Sequence, residues 1–303
     1  MSAMGCPLCT SPDSLVVKAI EVTPLVEEWS RRFRMDVRGE FHDLERFELL
    51  ECASCALQYF APRTLAGPPK LYAQLEKLDW YYLPRKWEHD VALKDLHGCG
   101  KALEVGCGFG DFVARARQEE TIEMEGLEQN PSAVERARSR GLPVRLLGLQ
   151  EAAAQFAGQY DAVCSFQVLE HVPDPMEFLE ASCALLRPGG KLLLGLPNAG
   201  SFLRYEFNPL DLPPHHMTRW SERVLERLPK LFPLRLERLE REPLAEYHVD
   251  GYVEAYSSLL ARRALVGRLC HPRAKSLLAS FLKRTGARKL LQGHTLYAAF
   301  SRA

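Results

Sequence analysis

Ala102-Leu103-Glu104-Val105-Gly106-Cys107-Gly108-Phe109-Gly110-Asp111-Phe112 is the stretch on which the fold turns. A short apolar strand carrying one acid runs into glycines at alternate positions, and a helical pattern begins at Asp111. Glycine lets the backbone turn tightly and admits a ligand close to the main chain. Loops at the carboxyl ends of strands form the ligand crevice of open α/β sheets. The spacing is Gly-x-Gly-x-Gly, not the Gly-x-Gly-x-x-Gly of dinucleotide sites. Glu104, two residues before the first glycine, faces a pyrophosphate poorly and suits a ligand bearing an ammonium group. Taken alone, the turn also reads as a tight strand–helix loop with no ligand.

Working outward, short apolar runs alternate with amphipathic stretches, the sign of βαβ units. Strands are expected at 101–105, 122–128, 143–147, 160–166 and 191–196, with helices at 111–118, 131–139 and 175–186. Arg187-Pro188-Gly189-Gly190 is a helix-stop and turn signal. Beyond His216 the pattern gives a helix at 221–231, a strand at 234–241, a helical insertion at 252–289 and a strand at 295–301. Towards the N-terminus the texture changes. Residues 70–97 are rich in aromatics, and 1–68 hold two Cys-x-x-Cys pairs and a proline-rich exit. The expected division is 1–68 and 69–303.

The run Glu104–Gly110 resembles the first motif of class I S-adenosylmethionine (SAM)-dependent methyltransferases. Glu128, in Gly126-Leu127-Glu128-Gln129-Asn130-Pro131, matches the acid that ends the family's second strand and holds the ribose hydroxyls. Tyr160-Asp161-Ala162-Val163 with Leu169-Glu170-His171-Val172 matches the fourth-strand motif, and Arg187-Pro188-Gly189-Gly190 the turn before the fifth strand. The resemblance implies an α/β, Rossmann-like, seven-stranded sheet with SAM as cofactor. It places the cofactor on Glu104, Gly106, Cys107, Gly108, Gly110, Phe112, Glu128, Gln129, Phe166, Gln167 and His171. His171 is expected to shape the site rather than do chemistry. The third strand departs from the pattern, reading Leu147-Gly148-Leu149-Gln150-Glu151 where an acid usually meets the adenine amine. Gln150 or a backbone carbonyl is expected to take that contact. In similar enzymes the region of Trp80-Tyr81-Tyr82 covers the cofactor and a tyrosine reaches its carboxylate, which adds Tyr82. Packing of these rings on the core is the alternative.

Cys6-Pro7-Leu8-Cys9 and Cys52-Ala53-Ser54-Cys55 are two knuckles, and four thiolates suit a closed tetrahedral zinc site. The 42 intervening residues include a helix pattern at 24–33 that lets the knuckles meet. Thr10 and Ala56 stand where such knuckles usually carry glycine. A metal-free ribbon and an iron–sulfur cluster are the alternatives. The module is similar to the zinc-binding N-terminus of bacterial methyltransferases of polysaccharide and natural-product pathways. Cys99, Cys107, Cys164, Cys183 and Cys270 show no ligand spacing.

Leu212-Pro213-Pro214-His215-His216 follows the fifth strand, where a loop borders the methyl donor. Histidine titrates near neutrality and can take a proton from a nucleophile. His216 is the first candidate base and His215 the second; capping of the next helix is the alternative. Lys+Arg and Asp+Glu are equal at 39 each, which disfavours a nucleic-acid partner. Against that, Arg262, Arg263, Arg268, Arg273, Lys275, Lys283, Arg284, Arg288 and Lys289 make the C-terminal helices basic. The residue 166–169 segment, Phe-Gln-Val-Leu, lacks the Asn-Pro-Pro-Tyr typical of methylation at planar amino nitrogens. No run of about 18 apolar residues suggests a membrane span, and the start has no secretory pattern, so a cytoplasmic protein is expected. The leading expectation is methyl transfer to a small-molecule acceptor (a sugar, lipid-linked or natural-product intermediate), at oxygen. RNA or protein methylation and a non-catalytic SAM-binding module are the other readings.

Overall fold

The computed structural model describes residues 5–78, 80–119, 122–205, 207–262 and 271–303. Arg263, Arg268 and Cys270, and the middle of the expected insertion, lie outside the described residues. The N-terminal part runs β1 (Ser14–Glu21), α1 (Val22–Phe33), β2 (Arg46–Cys52), β3 (Gln58–Ala61), α2 (Pro69–Leu75) and α3 (Trp87–Leu96). The central part follows as β4 (Lys101–Val105), α4 (Asp111–Glu119), β5 (Glu123–Glu128), α5 (Pro131–Ser139), β6 (Val144–Leu146), α6 (Leu149–Phe156), β7 (Tyr160–Phe166), α7 (Pro175–Leu185) and β8 (Leu186–Pro197). The remainder is β9 (Thr218–Arg219), α8 (Glu222–Leu225), β10 (Leu234–Pro243), α9 (Val249–Arg262), α10 (Pro272–Thr285) and β11 (Gln292–Arg302).

A seven-stranded sheet has the order β10-β11-β8-β7-β4-β5-β6. The strands β6, β5, β4, β7 and β8 pair in parallel, while β11 is antiparallel to both neighbours. This is the seven-stranded α/β arrangement expected. The polarity of β8 and its neighbours explains their nearly unbroken apolar sequence, because both faces are covered. On one face Leu192, Leu194 and Leu196 pack with α6, α7 and the cysteine knuckles. On the other, Leu193 packs with Phe112, Phe166 and α3.

The order β1-β2-β3-β9 forms a second, antiparallel sheet. Its outer strand comes from far along the chain: Gln58 pairs with Arg219 and Tyr59 with Thr218. Met176 N–H donates to Pro7 O at 3.3 Å, and Arg227 Nη1 to Ser54 O at 2.7 Å, so knuckle loops are tied to the central domain.

Three expectations need correction. The Arg187–Gly190 segment stops α7 as expected but falls within β8, which already begins at Leu186; its residues have no partner in β7, whose register passes from Tyr160–Leu186 to Ala162–Lys191. The expected helix at 221–231 stops at Leu225 and resumes as a 3-10 turn at Leu228–Lys230, since Pro229 lacks the amide that a continuous helix needs. The third parallel strand ends at Leu146, and Leu149 already opens α6 behind Gly148.

Candidate active site and thiol cluster

The glycine turn after β4 has Gly106, Gly108 and Gly110 at φ +72°, +52° and +76°. A Cβ on Gly106 would come within 2.5 Å of Val168 Cγ2, and one on Gly108 within 3.1 Å of the Tyr82 ring. Backbone conformation and space both require glycine here. Glu128, at the end of β5, fastens the turn. Its Oε2 accepts from Gly108 N–H at 2.9 Å, and its Oε1 from Gln129 and Asn130 N–H at 2.8 and 2.9 Å. Glu104 is buried in β4, and its Oε2 has no hydrogen-bond partner. Burial raises its carboxyl well above the ordinary range, against the pull of Lys86. An uncompensated buried acid beside a strand-end glycine turn fits a ligand that brings an ammonium. Tyr82 lies across the turn, its ring 4.7 Å from that of Phe109. The donor set therefore fits SAM: Glu104 for the ammonium, Glu128 for hydroxyls, Tyr82 as cover.

Other expected cofactor residues take different places. Phe112 and Phe166 form a buried trio with His89, with ring centroids 4.9–5.0 Å apart, so their side chains belong to the core beneath the turn. The Cys107 thiol packs against Gly126, leaving only its backbone towards the turn. Gln150 is exposed in the first turn of α6, and Gln129 is exposed beside Gly148. Gln167 sits at φ +58° and donates through Nε2 to Glu88 at 3.0 Å.

Past β8, the chain returns to bring three imidazoles together. His171 and His215 are 4.4 Å apart, and His215 stacks on His216 at 4.7 Å. His215 has both nitrogens engaged, Nδ1 with Leu210 O at 2.8 Å and Nε2 with Tyr81 Oη at 2.9 Å. A carbonyl can only accept, so Nδ1 carries the hydrogen and Nε2 receives the phenol's. With both ring nitrogens engaged, His215 has no free lone pair to offer, which favours His216, the first candidate, over His215, the second. His171 holds His215 O through Nδ1 at 2.8 Å, and burial brings it down to about 4. His216 stands 3.7 Å from Asp211 and borders a small cavity with Asn198, Arg219 and His294. Burial lowers His216 well below the ordinary histidine value, with His215 and His171 adding to it, so it is neutral with a lone pair.

The knuckle thiols converge. Cys6 and Cys55 Sγ are 3.5 Å apart, as are those of Cys9 and Cys52, and all four lie within 4.8 Å of one another. Tetrahedral zinc with bonds of about 2.3 Å separates its sulfurs by about 3.8 Å, so the cluster fits. Leu8 and Cys55 amides point at Cys6 and Cys52 Sγ, each at 3.5 Å. The hydrogen bond from Cys55 holds Cys6 well below the usual thiol range. Thr10 and Ala56 adopt φ +59° and +66° despite their side chains. The glycine conformation of such knuckles is therefore kept where the glycine is not.

Comparison with known proteins bears on these arrangements. Residues 78–237 match the family model described as a methyltransferase domain. The chain belongs to this methyltransferase family. It is 34% identical over 121 residues to the ubiquinone biosynthesis O-methyltransferase of Xanthomonas oryzae pv. oryzae, covering 38% of this chain and 50% of that protein. It is 35% identical over 150 residues to the enzyme of the same name from Bordetella avium, covering 41% and 62%. The chain thus spans about half the length of the curated relatives it matches. A solved structure titled as geranyl diphosphate methyltransferase in complex with SAM aligns with a TM-score of 0.47 at 15% identity, over 79% of this chain and 94% of that one.

In this methyltransferase chain the structure adds residues that sequence reasoning did not single out. Glu170 is 1% exposed and neither carboxylate oxygen has a hydrogen-bond partner. Lys86 acts electrostatically on Glu104, Glu170 and His171. Arg219, three residues after His216, is largely buried and lines both the small cavity and a groove of about 490 Å³ between the four-stranded sheet and the segment at 199–212. The motif residue Asp161 is explained structurally: its Oδ2 accepts from Gly100 and Lys101 N–H at 2.6 and 3.0 Å, pinning β4. The basic C-terminal helix is partly neutralised, with Lys275 on Glu254 and Lys283 on Asp250 at 2.8 and 2.7 Å. No helix of the described residues is long and apolar enough to cross a membrane.

Proposed function

We propose that the chain is a SAM-dependent methyltransferase that methylates a hydroxyl oxygen of a small-molecule acceptor, a sugar, lipid-linked or natural-product intermediate. The observation that carries the reading is the pair of carboxylates flanking the glycine turn, one with a buried oxygen lacking any partner, within the family-matched segment. The O-methyltransferase names of the relatives support oxygen as the nucleophile. When bound, SAM supplies a methyl group on a sulfonium, already activated for displacement. Glu104 and Glu128 hold and orient it, and Tyr82 shields it from water. The chain's remaining task is to align the acceptor and remove its proton. His216, neutral and bordering the small cavity beside Asp211, accepts the hydroxyl proton, while His215 stacks on its ring.

Cys6, Cys9, Cys52 and Cys55 hold a structural zinc ion in this reading, closed to substrate by four protein ligands. The relatives' bacterial sources and the unbridged thiols favour a reducing bacterial compartment, the cytoplasm. Calorimetric titration with SAM and S-adenosylhomocysteine tests the reading. Micromolar-range binding, weakened at least tenfold by Glu128→Ala, supports it. Absence of binding to folded, metal-loaded protein refutes it.

A further inference from the structure

A second cluster of metal-binding side chains lies away from the thiols. Glu242 of β10, His248 of the following turn and His294 of β11 each offer a ligand atom, and these lie within 4.8 Å of one another. They sit at the end of the sheet where Thr295 pairs with Pro197, the last residue of β8. Glu242 is buried, and its Oε2 accepts from His294 and Thr295 N–H at 3.3 and 3.2 Å, which fixes the carboxylate. The His248 and His294 rings are 5.2 Å apart at 67°.

Two atoms here lack what burial demands. His248 Nδ1 and Asn198 Nδ2 are buried with no hydrogen-bond partner. Asn198 is held next to His294 by a 2.6 Å bond from its N–H to His294 O. Another buried acid, Glu88, acts electrostatically on Glu242. Leaving a buried polar atom unpaired costs about 1–3 kcal/mol, and uncompensated acids cost more. A cation bound among them takes up the His248 lone pair and the Glu242 charge; Asn198 Nδ2, a donor, instead faces the oxygen of any further ligand on that ion.

We propose that Glu242, His248 and His294 form a site for a divalent transition-metal ion, with open coordination positions towards the small cavity that His294 borders. Two imidazoles and one carboxylate suit zinc, cobalt, manganese or iron(II) over magnesium or calcium. Donors on one such ion stand about 3–3.5 Å apart, so the side chains draw in by about an ångström on binding. His294 borders the cavity shared with His216, Asn198 and Arg219, and that cavity shares Arg219 and Asp211 with the larger groove. An oxygen of the acceptor takes an open position and is presented beside His216. This last role rests on the methyl-transfer reading; binding of the ion does not.

Cobalt(II) titration of the full, metal-stripped chain, with metal counting by mass spectrometry, tests the proposal. Two equivalents are expected, one with sulfur-to-cobalt charge-transfer absorption and one without. His248→Gln or His294→Gln should weaken the second at least tenfold and leave the sulfur-bound equivalent intact. Wild-type protein that takes one equivalent only, with the sulfur signature, overturns the proposal whatever the variants do. So does a second equivalent indifferent to both histidines. SAM titration is read separately: metal binding without SAM binding refutes the methyltransferase reading alone, and the converse refutes the metal site alone.

Discussion

Glu170→Gln should stabilise the protein, and increasingly so as pH rises. Glu170 lies between the end of β7 and β9, where its own carbonyl accepts from Met217 N–H at 2.7 Å. Burial pushes its carboxyl from 4.5 up to about 8. In the unfolded chain the group ionises at its ordinary value. Between the two values the native state holds a proton that the unfolded state has lost. Stability therefore falls as pH rises through this window, and stays reduced above it. One pH unit corresponds to about 1.4 kcal/mol, so the window sets a ceiling of about 5 kcal/mol, with about 2–5 kcal/mol expected once water penetration is allowed for. Glutamine keeps the shape and has no proton to lose. Urea unfolding of both proteins between about pH 5 and pH 8 measures the difference. The two should nearly coincide at the acid end and separate steadily towards the alkaline end. A difference that stays constant across the range would falsify the claim that Glu170 is held protonated.

His216→Ala should lower kcat by about a hundredfold or more while SAM affinity changes only a few-fold, as calorimetry and a transfer assay would show. Because burial lowers His216 well below its ordinary value, kcat/KM should rise through no midpoint near 6.5; a clear ascending limb there would assign the proton to another group. Chelation, or Cys52→Ser, should remove the sulfur-bound metal and lower the melting temperature by more than about 10 °C, because metal binding and folding are coupled. Thr10→Gly should be neutral to stabilising, by up to about 1 kcal/mol, since it relieves a left-handed backbone at an exposed position; a loss of stability would mean that the Thr10 hydroxyl, 2.7 Å from Cys9 O, matters more than the strain.

The central sheet was legible because its strands are short apolar runs separated by glycine and proline signals, and β4, β7 and α5 fall on the expected residues. β1 was not. Leu15, Val16 and Val17 are all exposed, so the strand has no core-facing alternation to read. Helix α6 was not among the expected elements, although Gly148 as N-cap and the alanines at 152–154 were available as signals. Within the site, the glycine turn stood out by its spacing, whereas Glu128 was singled out only through the resemblance to the methyltransferase motifs. The saturation of His215 depends on Tyr81, 134 positions away, and the pairing of Glu242 with two histidines depends on how β10 and β11 meet. Contacts of that kind leave no periodic trace in the sequence.

The pairing of β3 with β9 has a bearing on how the protein is made. Five of the seven strands of the central sheet, β4 to β8, are synthesised between these two strands. When the knuckles leave the ribosome, their sheet still lacks its outer strand, and Leu8 and Leu57 lack the β8 face they pack against. The zinc ion proposed for the four thiols would be the earliest cross-link available to hold Cys6–Cys9 against Cys52–Cys55 during that interval. Metal supply during translation, rather than after it, is then what decides how much of the chain reaches the native state. Cells starved of zinc should accumulate this protein as aggregate, not as soluble apoprotein waiting to be loaded.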